Sequence, residues 1–274
     1  MSREKNKYVN SKINALQFQK NQSAEILEEV LISPEKFNKV SKFHQDTTWT
    51  RAYEWNGSYT LEEWLKIVEM TDVLPEYFEE RISFPNIQKR FREASTSHRK
   101  FLKDVIIRKD LLGQILYDSF GRAEGIPTKN YPSAGGLYPI IPLILIFSVQ
   151  AAEGISKKGS YVYDSSSGEL LLLKEFSNED IVTIESNVGE IYSNIAVGYS
   201  MDIRRAIAKY GYRGYRHALI EVGAMSQSIR SNLKQIDHGD FLLSGFSDNS
   251  LTKMVGLSPR LTPLIILQWF GIKA

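Results

Sequence analysis

Two short stretches of this chain combine residue types that could do chemistry. From Arg204 to Arg216 there are five basic residues (Arg204, Arg205, Lys209, Arg213, Arg216) and no acidic one, with Tyr210, Tyr212 and Tyr215 threaded among them. An amine or phenol acts as a base near neutrality only if its pKa falls by roughly 2 to 3 units, from ~10.4 for Lys or ~10 for Tyr. Neighbouring cations push both groups in that direction. The same cations could instead serve one anion, such as a phosphate, or form a solvated basic face leading into a helix. The second stretch is PSAGGLYP, residues 132–139, where Ser133, Ala134, Gly135 and Gly136 precede an apolar run. Small side chains and glycines that accept positive φ let backbone amides approach a flat ligand. A tight turn entering a strand needs the same residues.

Other chemistries have less to stand on. The four histidines, His44, His98, His217 and His238, are scattered without metal-ligand spacing, and there is no cysteine for a thiolate site, a disulfide or a nucleophile. No G-x-S-x-G elbow, dinucleotide fingerprint or P-loop occurs. With 34 cations against 32 anions, the net charge of +2 does not suggest a nucleic-acid partner. The longest apolar run, IIPLILIF at 140–147, is too short to span a bilayer, and the N-terminus lacks a signal-peptide core. A cytoplasmic protein with no membrane segment is expected.

The elements that must position the two stretches follow from periodicity. Hydrophobic content of 42% over 274 residues supports a packed core. Residues 108–123 predict a helix, with Leu111, Leu112, Ile115, Leu116 and Phe120 on one side. PIIPLILIFSV reads as a strand buried on both faces, SYVYDSSSGELLLL as a hairpin, and NIAVGYS (194–200) and LTPLIILQWFG (261–271) as further strands. From Arg216, Ala218, Val222, Met225, Ile229 and Leu233 recur at spacings of 3 or 4, predicting a long helix whose apolar stripe serves a core or a dimer. Before residue 95 the chain reads as a polar extension with short helices, one capped by Ser23 with Ile26, Leu27, Val30 and Leu31, another opening at Thr60 with Leu61, Trp64, Leu65 and Val68. Irregular structure is expected between Pro75 and Pro85. The sum is an α+β fold around a mixed sheet flanked by helices, divided into an extension, 1–94, and a main domain, 95–274.

Taken together, PSAGGLYP at 132–139 and KYGYRGYRHALIEVGAMSQ at 209–227 resemble the azoline dehydrogenases of the nitroreductase superfamily, of the SagB and microcin types. The resemblance covers roughly residues 95–271, with echoes in KFHQDT (42–47) and PNIQKRF (85–91) of that family's N-terminal extension. It implies an FMN-binding, nitroreductase-like homodimer with flavin sites between subunits. It further implies a modified precursor peptide as substrate, a cyclodehydratase complex as partner, and oxidation of thiazoline or oxazoline rings to thiazole or oxazole. The family's catalytic Lys-Tyr pair falls on Lys209 and Tyr210, and its flavin loop on Pro132, Ser133, Ala134, Gly135 and Gly136. The superfamily's N-terminal flavin motif falls on Ser97, Arg99 and Phe101, with Ser95 where its first arginine would stand, and Arg213 and Arg216 are further candidates for the FMN phosphate. Gln227-Ser228 replaces the family's Gln-Asn.

On this resemblance an azoline loses a proton from the former Cα and a hydride from the adjacent carbon. FMN takes the hydride, Lys209 or Tyr210 the proton, and oxygen is the terminal acceptor. An NAD(P)H-dependent nitro- or quinone reductase on the same fold is the alternative enzyme. A structural subunit of a peptide-modifying complex is the alternative from another class.

Overall fold

The computed structural model describes residues 31–50, 59–68, 71–77, 79–84, 97–122 and 125–274, with isolated helical positions at 22, 26, 28 and 30. Ile26, Val30 and Leu31 are helical and exposed, whereas Ser23 and Leu27 of the same expected helix lie outside the described residues. The chain divides into two compact units, residues 1–52 with 97–274, and Tyr53–Thr96. Among its described residues the second unit holds one helix, Tyr59–Val68, where the Thr60 stripe predicted one. Residues 71–77 and 79–84 form neither helix nor strand.

In the larger unit, helix α1 (Pro34–Asp46) starts with a proline in its first turn and Glu35 beside the helix's positive end. In chain order, α2 is the Tyr59–Val68 helix of the other unit, and α3 (Lys109–Phe120) follows. Next come β1 (Ile140–Ile146), β2 (Gly159–Asp164), β3 (Glu169–Glu175), α4 (Asn178–Val188) and β4 (Ile195–Met201). Then follow α5 (Ile203–Tyr210), α6 (Tyr212–Gln235), β5 (His238–Leu243), α7 (Asp248–Met254) and β6 (Leu264–Ile272). The strands form one six-stranded sheet in the order β3-β2-β1-β4-β6-β5. The α+β class with flanking helices is as expected, but the sheet is not mixed: each pairing of these strands is antiparallel. Periodicity reports which face a side chain takes and carries no information on strand direction.

The apolar run of β1 has two destinations. Ile144 and Ile146 join a core with Leu112, Ile115, Leu116 and Phe120 of α3 and with Ala218, Val222, Met225, Ile229 and Leu233 of α6. Leu143 and Leu145 point the other way, into a second core with Ile184, Val188, Leu251, Leu264, Leu267 and Trp269. A central strand covered on both faces must be apolar throughout. The α6 stripe is therefore the core of this chain, and it does not serve as a dimer surface. Asn232 and Ser228 add polar ties from α6 to Ser119 of α3, at 3.0 and 3.3 Å.

Candidate functional site

Lys209 and Tyr210 end α5. Asp202 caps that helix, accepting the N–H groups of Arg204 and Arg205 at 2.9 and 3.2 Å. Gly211 then turns the chain at φ 56, ψ −138, a conformation open to glycine, and α6 begins at once. The corner is held from outside by α1, where His44 Nδ1 and Tyr215 Oη share a hydrogen bond of 3.0 Å. Burial holds His44 below the usual histidine range.

The small-residue loop folds back onto this corner. A short 3-10 turn spans Ala134–Gly136, with Gly135 at φ 63 and Gly136 at φ 67. A Cβ on Gly135 would stand 2.5 Å from Tyr210 Oη and 3.0 Å from Lys209 Nζ, whereas one on Gly136 would meet nothing within 4 Å. Gly135 is therefore pressed against the Lys-Tyr pair, while Gly136 leaves its side of the loop open. Lys209 Nζ sits 5.3 Å from the Tyr210 ring centroid, and His217 of α6 packs edge-on to the same ring at 5.0 Å. Arg205 Nε donates to the Leu137 carbonyl at 2.6 Å, tying α5 to the loop a second time. Beside the loop lies an open cavity of about 550 Å³ lined by residues including Lys129, Tyr131, Ser133, Gly136 and Tyr138.

The sequence reading missed the charged groups under this loop. Glu221, on the inner face of α6, is buried and accepts a hydrogen bond from Ser133 Oγ. Burial pushes its carboxyl up to about 7, against the opposing pull of Ser133, the Ile140 backbone, Lys129 and Arg205. Lys129 is pushed down to about 8, first by burial and then by Arg122 and Arg205. Its ammonium lies 5.3 Å from the Tyr138 ring centroid, and the Arg122 guanidinium lies 5.4 Å from the same ring. The only sequence signal for Glu221 was its place in a buried stripe, one position before Val222.

The remaining expected residues lie in different places. Arg213 and Arg216 are exposed on α6. The cation run is not free of anions in space, because Arg204 pairs with Asp202 at 3.5 Å and Arg205 lies 3.7 Å from Glu28. Ser97 and Arg99 are not gathered with the Lys-Tyr pair. His98 N–H donates to the Asp240 carbonyl and the Arg99 guanidinium lies 5.5 Å from the Phe241 ring, which puts this segment on β5. Asp240 in turn grips Arg230 at 2.9 to 3.0 Å. Arg230 stands nine positions after Glu221 on α6, about 13 Å of helix at ~1.5 Å per residue. Among the described residues no cluster of three or more metal-ligating side chains forms, and no helix is long and apolar enough to cross a membrane.

No protein-family model matches the chain. It is similar to the microcin B17-processing protein McbC of Escherichia coli, at 27% identity over 172 residues. The match covers 58% of this chain and 60% of McbC, so it spans about three fifths of that relative's length. A candidate nitroreductase of Methanocaldococcus jannaschii is 24% identical over 157 residues, 57% of this chain and 77% of that protein. Among solved structures, a chain of the E. coli microcin synthetase McbBCD complex with truncated pro-MccB17 bound matches with a TM-score of 0.78 at 23% identity. That match covers 90% of this chain and 96% of the other. A nitroreductase structure from Ralstonia eutropha JMP134 matches with a TM-score of 0.55 at 16% identity, covering 65% and 79%. The expected resemblance is thus found in sequence and in fold: a nitroreductase-like chain related to McbC.

Proposed function

We propose that this relative of McbC is an FMN-dependent dehydrogenase that oxidises thiazoline or oxazoline rings in a ribosomally made peptide. The observation that carries the reading is the contact of Gly135 with Lys209 and Tyr210. Two stretches remote in sequence, each suited to one part of the same chemistry, meet at one place.

The residues present fit a flavin. Gly136 is open, the loop around it exposes backbone, and the neighbouring cavity is broad enough for a flat ring. Pro132, Ser133, Ala134, Gly135 and Gly136 would hold it from this side. Bound there, FMN would supply the acceptor for the hydride that leaves the azoline carbon. Lys209 and Tyr210 end a helix at the loop surface, where one takes the proton from the former Cα and the other orients it or polarises the ring nitrogen. Arg205 spends its Nε on the Leu137 carbonyl and so acts on the shape of the loop.

Ser97 and Arg99 belong to the segment on β5 and not to the Lys-Tyr corner, and a second copy could bring them to the same flavin. A homodimer with FMN between its subunits accounts for that separation. Arg213 and Arg216, exposed on α6, stay available for the phosphate or for the peptide. Residues 1–94 would dock a cyclodehydratase partner or the precursor peptide, as the likeness to a chain of a synthetase complex with a bound peptide favours. A cytoplasmic enzyme is the natural setting for such a peptide.

The test is single-turnover. Purified protein should be yellow, release FMN when denatured, and bleach when mixed anaerobically with an azoline-bearing peptide. Rapid bleaching by NADPH with none by the peptide would instead identify a nitro- or quinone reductase. Protein that stays colourless after incubation with FMN would leave a structural subunit of a modifying complex.

A further inference from the structure

Glu221 is a buried ionisable group that the proposed chemistry does not use, yet it stands against the loop on which that chemistry depends. Its side chain is only 3% exposed. Ser133 Oγ donates to its Oε2, and the same Oγ accepts the N–H of Tyr138 at 2.9 Å. Tyr138 needs that anchor. It sits at φ 49, a left-handed conformation unfavourable for a tyrosine, just after Gly135 and Gly136 at φ 63 and 67. Three residues of four in the left-handed region make a loop that must be held by its surroundings. Glu221 holds one end through Ser133, and Arg205 the middle through Leu137.

We propose that Glu221 is a positioning residue: its carboxylate fixes the Ser133 hydroxyl, which fixes Tyr138 and so the face that Gly135 and Gly136 present to a flavin. This rests on the flavin reading above. An ionised carboxylate can only accept, so the serine proton points to it and a lone pair is left for the Tyr138 N–H. A protonated carboxyl can donate to Oγ instead, and the serine proton must then find another acceptor. Burial raises the Glu221 pKa and the Ser133 hydrogen bond lowers it, so releasing Ser133 from a carboxyl that stays buried on α6 raises that pKa further, and the held loop is favoured as Glu221 loses its proton. Burial brings that event to about pH 7. The groups facing Glu221 are Ser133 and Ile140 from the loop and β1, Lys129 from the segment before the loop, and Arg205 from α5. Tyr131 shares the space, its phenol pushed up by burial and then by Glu221, while His217, one turn earlier on α6, packs on Tyr210.

Hydrogen exchange of the full chain without added flavin tests this directly. Protection of residues 132–140, corrected for intrinsic exchange, should rise at least about 5-fold between about pH 6 and about pH 8.5 in the wild type. It should be weak and flat in Glu221→Gln. Ser133→Ala cuts the same link from the loop side without touching the buried carboxyl, so it should match Glu221→Gln and guards against a folding defect in that variant. A wild-type loop whose protection does not change with pH, or either variant protected like the wild type, overturns the proposal. FMN titrations by flavin fluorescence then link loop to cofactor. At matched pH the phosphate's own ionisation cancels between variants. Glu221→Gln should bind several-fold more weakly than wild type near pH 8 and about equally near pH 6. Equal affinity at both values overturns the role in positioning flavin. Exchange as expected with no FMN binding even in the wild type supports the hold on the loop and removes the flavin reading instead.

Discussion

A Cβ on Gly214 would stand 1.9 Å from the carbonyl oxygen of Ala206, so α5 and α6 meet backbone to backbone at the corner that carries Lys209 and Tyr210. No side chain fits there, and the obstacle is main chain that cannot rotate away. Gly214→Ala must push the helices apart. Overpacking of this kind costs roughly 1 to 3 kcal/mol. Thermal unfolding should show a drop of about 2 to 4 °C for each kcal/mol, and FMN retention should fall with it. A variant melting with the wild type would mean that the corner is looser than its geometry.

The two loop glycines separate strain from contact. Both have positive φ, so alanine at either position costs about 1 kcal/mol or so in backbone strain. Only at Gly135 does the new methyl also meet Tyr210 Oη and Lys209 Nζ, the far ends of side chains that can swing aside. Gly135→Ala should therefore match Gly136→Ala in stability within about 1 kcal/mol while losing far more azoline oxidation. Denaturant midpoints and single-turnover rates, measured side by side, decide it.

The parts legible in the sequence were those with an unbroken period. β1 announced itself by a continuous apolar run, the β2–β3 hairpin by its Ser/Gly turn, and α6 by its stripe. Others were hidden by local features. In α4, NEDIVTIESNV has few apolar residues, and its start is fixed by a capping box between Ser177 and Asp180. β5 follows α6 with no glycine or proline before it, and Asp237 at φ 55 makes the break. α1 was read as part of a polar extension, yet Val40, Ser41 and His44 are buried. Lys209, Tyr210 and the small-residue loop could each be picked out by residue type. Glu221 and Lys129 could not, because what makes them notable is their shared burial, a tertiary fact.

His44 sets an acid-side sensitivity. Burial holds its pKa in the folded chain below the ordinary histidine value of ~6.5. As pH falls, the unfolded chain takes up a proton that the folded chain resists, so stability is lost as pH drops below about 6.5. Each pH unit over which only the unfolded chain is protonated costs about 1.4 kcal/mol. Urea unfolding at about pH 7.5 and about pH 5 should show a smaller loss for His44→Gln than for wild type. Equal losses would mean that His44 is protonated in the folded state, with Tyr215 Oη as its acceptor.

Faces of α6 should respond to charge in opposite ways. Met225 is fully buried in the core of its own chain. Met225→Glu should unfold the protein, with no folded monomer to be found, since an unpaired buried charge costs several kcal/mol. Ile220, 70% exposed beside the open Gly223, lies on the outer face. Ile220→Glu should fold normally, within about 0.5 kcal/mol of wild type. If two copies meet on this face, light scattering should find the Ile220 variant shifted toward monomer, with weaker FMN binding. A wild-type mass for that variant would place the dimer contact elsewhere.

Lys209→Ala and Tyr210→Phe test the chemistry itself. Both side chains reach Gly135 from the end of α5, and neither belongs to the buried core, so each variant should stay folded and yellow. Losing a positioned base costs ~10² to 10⁴ in rate. Whichever residue takes the proton should show the larger fall in single-turnover flavin reduction, and its variant should lose the acidic limb of the wild-type pH–rate profile. The partner that orients or polarises should slow the reaction while leaving that limb in place. Tyr210→Phe also keeps the ring that packs on His217 and meets Lys209 Nζ, so any loss belongs to the hydroxyl alone. Wild-type rates in both variants would show that the base lies elsewhere. Lys129, held at about 8 beside the same loop, would then be the residue to substitute next.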